Sequence, residues 1–147
     1  MHSIEEVKDS NINEIIELAL KLWPGDREEE MNELFTKSMN STQEKNYLYK
    51  VKDQYVGFIY LSLRNDYVEG SDSSPVGYVE GIYVEPEYRH QDIARRLIKK
   101  GEEWVKSIGC TQIASDCVLE NTISYQFHLK VGFEEANKII CFIKDID

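Results

Sequence analysis

A strand that leads through a short turn into a basic helix constrains the fold more than any other part of this sequence. The strand is predicted over residues 76–84 and is stopped by Pro86. The helix is predicted from Asp92 to Ile108, with Gly109 as its terminator. Its apolar stripe consists of Ile93, Leu97, Ile98, Gly101, Trp104, Val105 and Ile108. Strands and helices that alternate in this way are typical of an α/β sheet with crossover helices.

The link between this strand and this helix is suited to bind an anion. Residues 89–94 would present successive backbone N–H groups at a helix N-terminus, where the helix dipole favours a group such as a pyrophosphate. Arg89, Arg95 and Arg96 concentrate positive charge there in an acidic chain. The alternative is an ordinary connection with a solvated basic turn, and a short motif by itself does not separate the two.

The length and composition predict a single domain over residues 1–147. The chain has 147 residues, of which 41% are hydrophobic, so it can bury one core of ordinary size. Residues 1–7 have neither the basic head nor the apolar run of a secretory signal. No segment approaches the ~20 apolar residues of a membrane span. We therefore expect a soluble, cytoplasmic protein without a membrane partner.

The charge and the cysteines narrow the class of ligand. A formal net charge of −10 argues against nucleic acid as a partner and favours a cationic ligand, with plain solubility as the alternative. The three cysteines are odd in number and lack metal-type spacing, so we interpret them as core residues in a reducing compartment. The three histidines are scattered, and no metal site is expected.

The other elements follow from their periodicity and turn signals. A first helix should begin after a cap at Asp9 or Ser10 and end at Pro24. Lys52 to Gln54 indicate a hairpin turn, and residues 64–75 a polar loop. The remaining predicted strands are Ile4–Val7, Tyr47–Val51, Tyr55–Leu63, Gln112–Asp116 and Ile139–Ile143, and the remaining helices are Arg27–Met39 and Glu120–Val131.

Several motifs resemble a known family. Arg89-x-x-x-x-Ala94, after a strand that ends Gly-Ile-Tyr-Val, is similar to the acetyl-CoA-binding motif Arg/Gln-x-x-Gly-x-Gly/Ala of the GCN5-related N-acetyltransferase (GNAT) superfamily. Asp92 stands where that motif has glycine. Further segments, in order between about Trp23 and Phe142, resemble the aminoglycoside 6'-N-acetyltransferases of resistant bacteria. They are Leu22–Gly25, Asp66–Gly70, Ser73–Val76, Glu80–Val84, Ala114–Asp116, Glu120–Ser124, His128 and Gly132–Glu135.

The resemblance implies a fold and a co-substrate. The GNAT fold is an α/β (α+β) fold in which helices flank a mixed central β-sheet, and two splayed central strands hold acetyl-CoA. No metal takes part. By this resemblance and by the anion-binding link, the residues expected to bind acetyl-CoA are Ile82, Tyr83, Val84, Arg89, His90, Gln91, Asp92, Ile93, Ala94, Arg95 and Asn121.

The resemblance also implies catalytic residues. Glu80 and Asp116 stand at corresponding places on two successive strands, where the family binds the aminoglycoside, and either can accept the proton of the reacting amine. The alternatives are a surface ion pair for Glu80 and a helix cap for Asp116. His128 stands where many members have a tyrosine that protonates the leaving thiolate. A histidine can do this acid work, although a lone histidine on a helix is more often a packed residue.

The acceptor site would combine aromatic and acidic side chains. A flat aromatic surface can stack on a sugar ring while carboxylates hold its ammonium groups; Trp23 also fits a role in the core. The expected substrate-binding residues are Trp23, Asp26, Tyr67, Glu80, Asp116 and Asn137. Two alternatives remain, namely acetylation of a polyamine or another small cellular amine, and a non-catalytic acyl-CoA-binding module. Relatives and the predicted last strand favour a homodimer.

Overall fold

A computed structural model describes all residues, 1–147. Five strands form one mixed sheet in the order β1-β2-β3-β4-β5, in which only the β4–β5 pair is parallel. In chain order the elements are β1 (His2–Glu6), α1 (Ile12–Leu22), α2 (Glu28–Met39), β2 (Glu44–Val51), β3 (Gln54–Arg64), β4 (Val76–Val84), α3 (Ile93–Ser107), β5 (Ile113–Ala114) and α4 (Thr122–Lys130). The predicted mixed α/β sheet with flanking helices is confirmed.

Helices cover both faces of the sheet. The apolar sides of α1 and α2 bury Ile15 and Phe35 against Phe58 of β3. On the other face, α3 buries Leu97 and Ile98 against the strands, as its predicted stripe requires.

A bulge interrupts β4 at Glu80. Val79 pairs with Leu61 and Gly81 pairs with Tyr60, so Glu80 has no partner residue on β3. An extra residue of this kind bends its strand and changes the direction in which the next side chains point.

The bulge places two consecutive residues on the same face. In regular pleating Glu80 and Gly81 would face opposite sides of the sheet. Instead, Glu80 contacts Ser62, and Gly81 lies against Trp23. Ser62 and Trp23 both belong to the face covered by α1 and α2, where Tyr60, two residues from Ser62, also packs. The bulge therefore directs Glu80 and the backbone of Gly81 toward the same cleft.

The central strands β4 and β5 separate after a short contact. Their ladder contains only Gly77 opposite Ile113 and Tyr78 opposite Ala114. β4 continues to Val84, so residues 79–84 have no strand beside them on that edge. The predicted splayed pair is confirmed, and it leaves backbone groups of β4 open to a ligand.

Three local predictions are wrong. No strand forms over Ile139–Ile143, because no neighbouring strand pairs with these residues and their backbone forms no hydrogen bonds within the protein. Neither Asp9 nor Ser10 caps α1, since its N-cap is Asn11, without a side-chain cap bond. Of the cysteines, Cys110 is buried, but the other two are exposed because they lie in the irregular segments after β5 and α4.

No helix has the length and apolarity to cross a bilayer.

Candidate active site

Glu80 is held by two residues of β3. Ser62 Oγ donates a hydrogen bond of 2.5 Å to Glu80 Oε2. Arg64 donates from Nε to Oε2 at 3.0 Å and from Nη2 to Oε1 at 2.8 Å, which makes a two-point ion pair. The Glu80 side chain is 23% exposed. It is thus fixed in direction while part of its carboxylate still reaches solvent.

Arg64 and Tyr78 connect Glu80 to Asp116. The guanidinium carbon of Arg64 lies 3.4 Å from the centre of the Tyr78 ring, a cation–π contact. The Tyr78 hydroxyl donates a hydrogen bond to Asp116 Oδ2. Burial and this hydrogen bond raise the pKa of Tyr78 well above its ordinary value of 10.0, and the bond to Glu80 raises the pKa of Arg64. The two predicted carboxylates therefore belong to one polar network, but Arg64 lies between them.

Trp23 lies directly beside the Glu80 bulge. A Cβ atom on Gly81 would come within 2.6 Å of the Trp23 ring, so only glycine leaves room for this contact. The ring also meets Phe58 at 6.2 Å between centroids. Trp23 is half-buried. The ring therefore packs on the core, as one interpretation from the sequence requires, and it also borders the cleft.

His128 is bonded at both ring nitrogens. Nδ1 lies 2.7 Å from the carbonyl oxygen of Ser124, which can only accept, so Nδ1 carries a proton. Nε2 lies 2.8 Å from Ser115 Oγ, the residue next to Asp116. In the neutral imidazole, the Ser115 hydroxyl donates to Nε2. Ser115 is therefore the residue that connects Nε2 of His128 to the cleft.

The link before α3 presents a row of free donors. The backbone N–H groups of His90 to Arg95 donate to no acceptor within the protein, and Arg96 is the first residue to bond back, to Asp92. His90 and Asp92 both have φ of 65°, in the left-handed region. This alternation of backbone conformation turns consecutive N–H groups toward one side and forms an anion-binding nest.

The three arginines of the link have different partners. Arg89 Nε donates to the Val84 carbonyl at 2.8 Å, which fixes the link to the end of β4. Arg95 Nη2 donates to the Lys130 carbonyl at 3.2 Å, and its Nε lies 3.7 Å from Asp92. Arg96 turns away and donates to the buried Tyr49 hydroxyl at 2.8 Å. Arg95 is therefore the cation that remains beside the nest.

Comparison with known proteins identifies the family. A family model described as "Acetyltransferase (GNAT) family" matches residues 12–133. The chain belongs to the GNAT acetyltransferase family. The cleft between β4 and β5 and the nest before α3 are the features of this chain that fit a GNAT coenzyme, since they combine an open strand edge with free N–H donors.

Several GNAT relatives that match nearly the whole chain are named as aminoglycoside 6'-acetyltransferases. An aminoglycoside N(6')-acetyltransferase type 1 from Acinetobacter haemolyticus is 34% identical over 99% of both chains. One from Acinetobacter genomosp. 13 is 36% identical, over 98% of this chain and 99% of that one. The solved structure of AAC(6')-Iy with the bisubstrate analogue CoA-S-monomethyl-acetylneamine is 32% identical, with a TM-score of 0.96 over 99% of each chain.

The other predicted site residues of this GNAT protein lie at different places in the structure. Tyr67 is 76% exposed, and Asp26 lies exposed in the turn after α1. Asn137 Nδ2 donates to Glu69 at 3.1 Å, which brings the segment after α4 against the loop that contains Tyr67. Asn121 caps α4, because its Oδ1 accepts from the N–H of Ser124. The amide nitrogen of Asn121 remains available.

Four polar residues of the cleft were not predicted from the sequence. Arg64 and Tyr78 bridge Glu80 and Asp116, Ser62 bonds Glu80, and Ser115 bonds His128. One signal was available, since Tyr78 and Glu80 alternate along one predicted strand and so share a face. The predicted end of β3 at Leu63 left Arg64 in the loop, and its contact with Glu80 depends on the register of β3 against β4.

Proposed function

We propose that this protein transfers the acetyl group of acetyl-CoA to the 6'-amino group of an aminoglycoside and so confers resistance. The observation that carries this proposal is the cleft itself, where Trp23, Glu80 and the Tyr78–Asp116 pair face the open edge of β4. An aromatic ring beside carboxylates suits an aminated sugar. Relatives that cover nearly the whole chain carry this activity in their names.

Acetyl-CoA fits the groups that the open edge and the nest provide. It would supply an acetyl group activated as a thioester. The N–H groups of residues 90–95 would bind its pyrophosphate, with Arg95 as the neighbouring cation. The backbone of Ile82–Val84 would hold the pantetheine arm, although Arg89 already uses the Val84 carbonyl. A free N–H of this strand can polarise the thioester carbonyl.

Glu80 and Asp116 serve the acceptor in two ways in this proposal. Their charges attract a polycation, and one of them, directly or through water, accepts the proton that the attacking amine loses. Glu80 already accepts three hydrogen bonds but has about four acceptor positions, so it can accept one more. The Tyr78 hydroxyl occupies only one oxygen of Asp116, which is exposed.

His128 and Ser115 supply the acid in this proposal. A protonated His128 can pass the proton on Nε2 to Ser115 Oγ, whose own proton goes to the leaving thiolate. The structural alternative is that these bonds only fasten α4 to β5. His128→Ala and Ser115→Ala would then lower the melting temperature without lowering kcat, whereas loss of an acid lowers kcat by about 10²–10⁴.

Amide variants of the two acids test the proposed function. Glu80→Gln and Asp116→Asn should each lower kcat/KM for a kanamycin-type acceptor roughly 10- to 100-fold, because a charge-assisted bond is lost. Calorimetry with acetyl-CoA should give a dissociation constant near that of the wild type. Asp53→Asn, in the turn between β2 and β3, is the matched control. Two amide variants as active as this control would refute an acidic acceptor site.

The same assay separates the alternatives. An acidic cleft suits any polycation, so a small cellular amine is the second candidate acceptor. Thiol release with spermidine but not with aminoglycosides would favour it. Binding of acetyl-CoA without thiol release for any amine would indicate a non-catalytic module.

We further propose that residues 1–147 form a single, cytoplasmic GNAT domain that assembles as a homodimer. The family match spans most of the chain. Support for the dimer comes from the C-terminal segment, whose large apolar side chains lie in solvent, including Phe142 at 90% and Ile143 at 98% exposure. Apolar clusters of this kind mark interaction surfaces. The open edge of β5, in the same chain, can accept a strand from a second copy.

A further inference from the structure

Arg64 is a cation of the cleft whose position is fixed by several contacts. Its Nε and Nη2 donate to both oxygens of Glu80, at 3.0 and 2.8 Å, and its planar head stacks on Tyr78. Ser62 fixes the same carboxylate from the other side. An arginine held by two directed hydrogen bonds and a ring contact has little freedom to leave.

The guanidinium changes the charge that an acceptor meets. Glu80 and Asp116 alone would give the cleft two negative charges, and Arg64 reduces the sum to one. Because Glu80 is paired while Asp116 receives only a neutral hydroxyl, the two acids are not equivalent. An ammonium group is attracted chiefly by Asp116.

This difference matters because only a neutral amine can attack a thioester. A carboxylate close to an amine stabilises the ammonium form, and a nearby cation destabilises it. Glu80 paired with Arg64 can still accept a hydrogen bond from the amine, yet it adds little net attraction for a proton. Binding of a polycation thus favours negative charge in the cleft, whereas acetyl transfer needs a neutral amine. Arg64 allows both, because it neutralises Glu80 and leaves Asp116 charged.

We propose that Arg64 sets the charge of the acceptor site, because its guanidinium neutralises Glu80 so that Asp116 attracts the polycation while the reacting amine stays neutral. This proposal rests on the acetyl transfer proposed above. Arg64 acts through Glu80 and is therefore a positioning residue.

The groups around Arg64 allow a clean pH experiment. Facing it are Glu80, Tyr78 and Asp116, with Tyr60 on the same strand, whose hydroxyl bonds Glu44. Burial raises the pKa values of both tyrosines far above the assay range, so these hydroxyls remain neutral.

The test compares Arg64→Gln and Arg64→Lys with the wild type in steady-state acetylation of an aminoglycoside from pH 6 to 9. In Arg64→Gln the unpaired Glu80 should bind the ammonium form, so KM falls about threefold to tenfold and kcat at pH 7 falls about tenfold. The midpoint of the kcat–pH profile should rise by about one unit. Arg64→Lys, which keeps the charge, should keep the wild-type midpoint.

Two control variants distinguish this electrostatic role of Arg64 from a purely structural one. Arg27→Gln, at an exposed arginine that pairs with Glu30, should leave the profile unchanged. The double variant Arg64→Gln/Glu80→Gln removes the unpaired carboxylate, so it should fold even if Arg64→Gln does not, and its midpoint should return to the wild-type value. Circular dichroism monitors the fold of each variant.

The outcomes are distinct. An active wild type with an unchanged midpoint in Arg64→Gln, or a shifted one in the double variant, overturns the role of Arg64 and leaves the proposed function standing. A wild type that releases no thiol with any aminoglycoside refutes the proposed function and this proposal with it. A shift in Arg64→Gln that Lys and the double variant both reverse supports the proposal.

Discussion

Asp92 tolerates a backbone position that normally favours glycine. Its φ of 65° lies in the left-handed region, where the related motif has glycine and where asparagine and aspartate are the most tolerated alternatives. The Asp92 carboxylate points toward Arg95 at 3.7 Å. It thereby offsets the cation beside the nest. Because aspartate adopts this conformation, the main effect of Asp92 on a bound anion is electrostatic.

Removing this charge should strengthen acetyl-CoA binding. We expect Asp92→Gly and Asp92→Asn both to lower the dissociation constant about twofold to fivefold at low salt, because each removes a negative charge near the pyrophosphate. The gain should shrink at 0.5 M salt as screening increases. Isothermal calorimetry measures both effects.

The pair of variants also separates charge from backbone strain. Glycine relieves the left-handed strain that asparagine keeps, so a difference between the two variants in melting temperature reports the backbone. If neither variant bound acetyl-CoA more tightly than the wild type, the pyrophosphate would not lie on residues 90–95.

At the scale of elements, the end of α1 is fastened to β4 at two points. Trp23 lies on Gly81, and Lys21 Nζ lies 2.5 Å from Glu85. The first contact borders the acceptor side of the cleft, and the second lies just before the nest. A change at the Trp23 contact should therefore affect the acceptor, and a change at the Lys21 contact should affect acetyl-CoA.

Gly81→Ala should disturb the acceptor side. A methyl group at this position would lie 2.6 and 2.7 Å from two Trp23 ring carbons, so the ring must move. We expect a loss of about 1–3 kcal/mol in the free energy of unfolding and an increase in acceptor KM. Urea unfolding and steady-state kinetics measure these. The control is Gly25→Ala, where nothing lies within 4 Å of the added carbon. Equal stability of the two variants would contradict the packing of Trp23 on Gly81.

Glu85 should make stability depend on acid pH. Burial raises the pKa of its carboxyl, but hydrogen bonds from Lys21 and Tyr83 outweigh this, and the pKa lies below its ordinary value of 4.5. Because the folded state favours the ionised form, the contribution is complete well above pH 4.5 and is lost as the pH falls through the lowered pKa.

Urea unfolding of the wild type and Glu85→Gln between pH 7 and pH 3 tests this. The difference in the free energy of unfolding should be constant near neutral pH and shrink below pH 4.5. Glu87→Gln gives the effect of removing an exposed carboxylate that forms no ion pair. A difference for Glu85→Gln that grew on acidification would mean that the Lys21 contact does not form in solution.

For the whole molecule, the C-terminal segment is the part whose apolar side chains are not buried within the single chain. Ile139, Ile140, Phe142, Ile143 and Ile146 are all largely exposed, although their pattern resembles a strand. The hydrophobic effect disfavours such a surface in water, so a second copy is the partner we propose.

Charged substitutions in this segment should dissociate the proposed dimer. We expect light scattering to give the wild type a mass of about twice 17.2 kDa, and Ile140→Asp/Ile143→Asp the mass of one chain. Ile108→Asp, at a partly exposed position at the end of α3, is the control. A double variant that kept the wild-type mass would place the interface elsewhere.

The sequence alone determined most of the elements. β4 begins and ends where predicted, and α3 differs by one residue at each end. The family and the general position of the nest also followed from motifs. These features depend on side-chain periodicity, on turn residues and on contacts close in the sequence, so a linear pattern records them.

Only the tertiary structure decided which side chains of the cleft contact one another. The bulge at Glu80 arises from pairing with β3, and it sets which side chains meet Trp23 and Arg64. The Ser115–His128 bond depends in the same way on how α4 lies against β5. For residues 139–143 the pattern predicted a strand, but a strand also needs a neighbour, and the single chain provides none. Register and partners are set by distant segments, which no local pattern encodes.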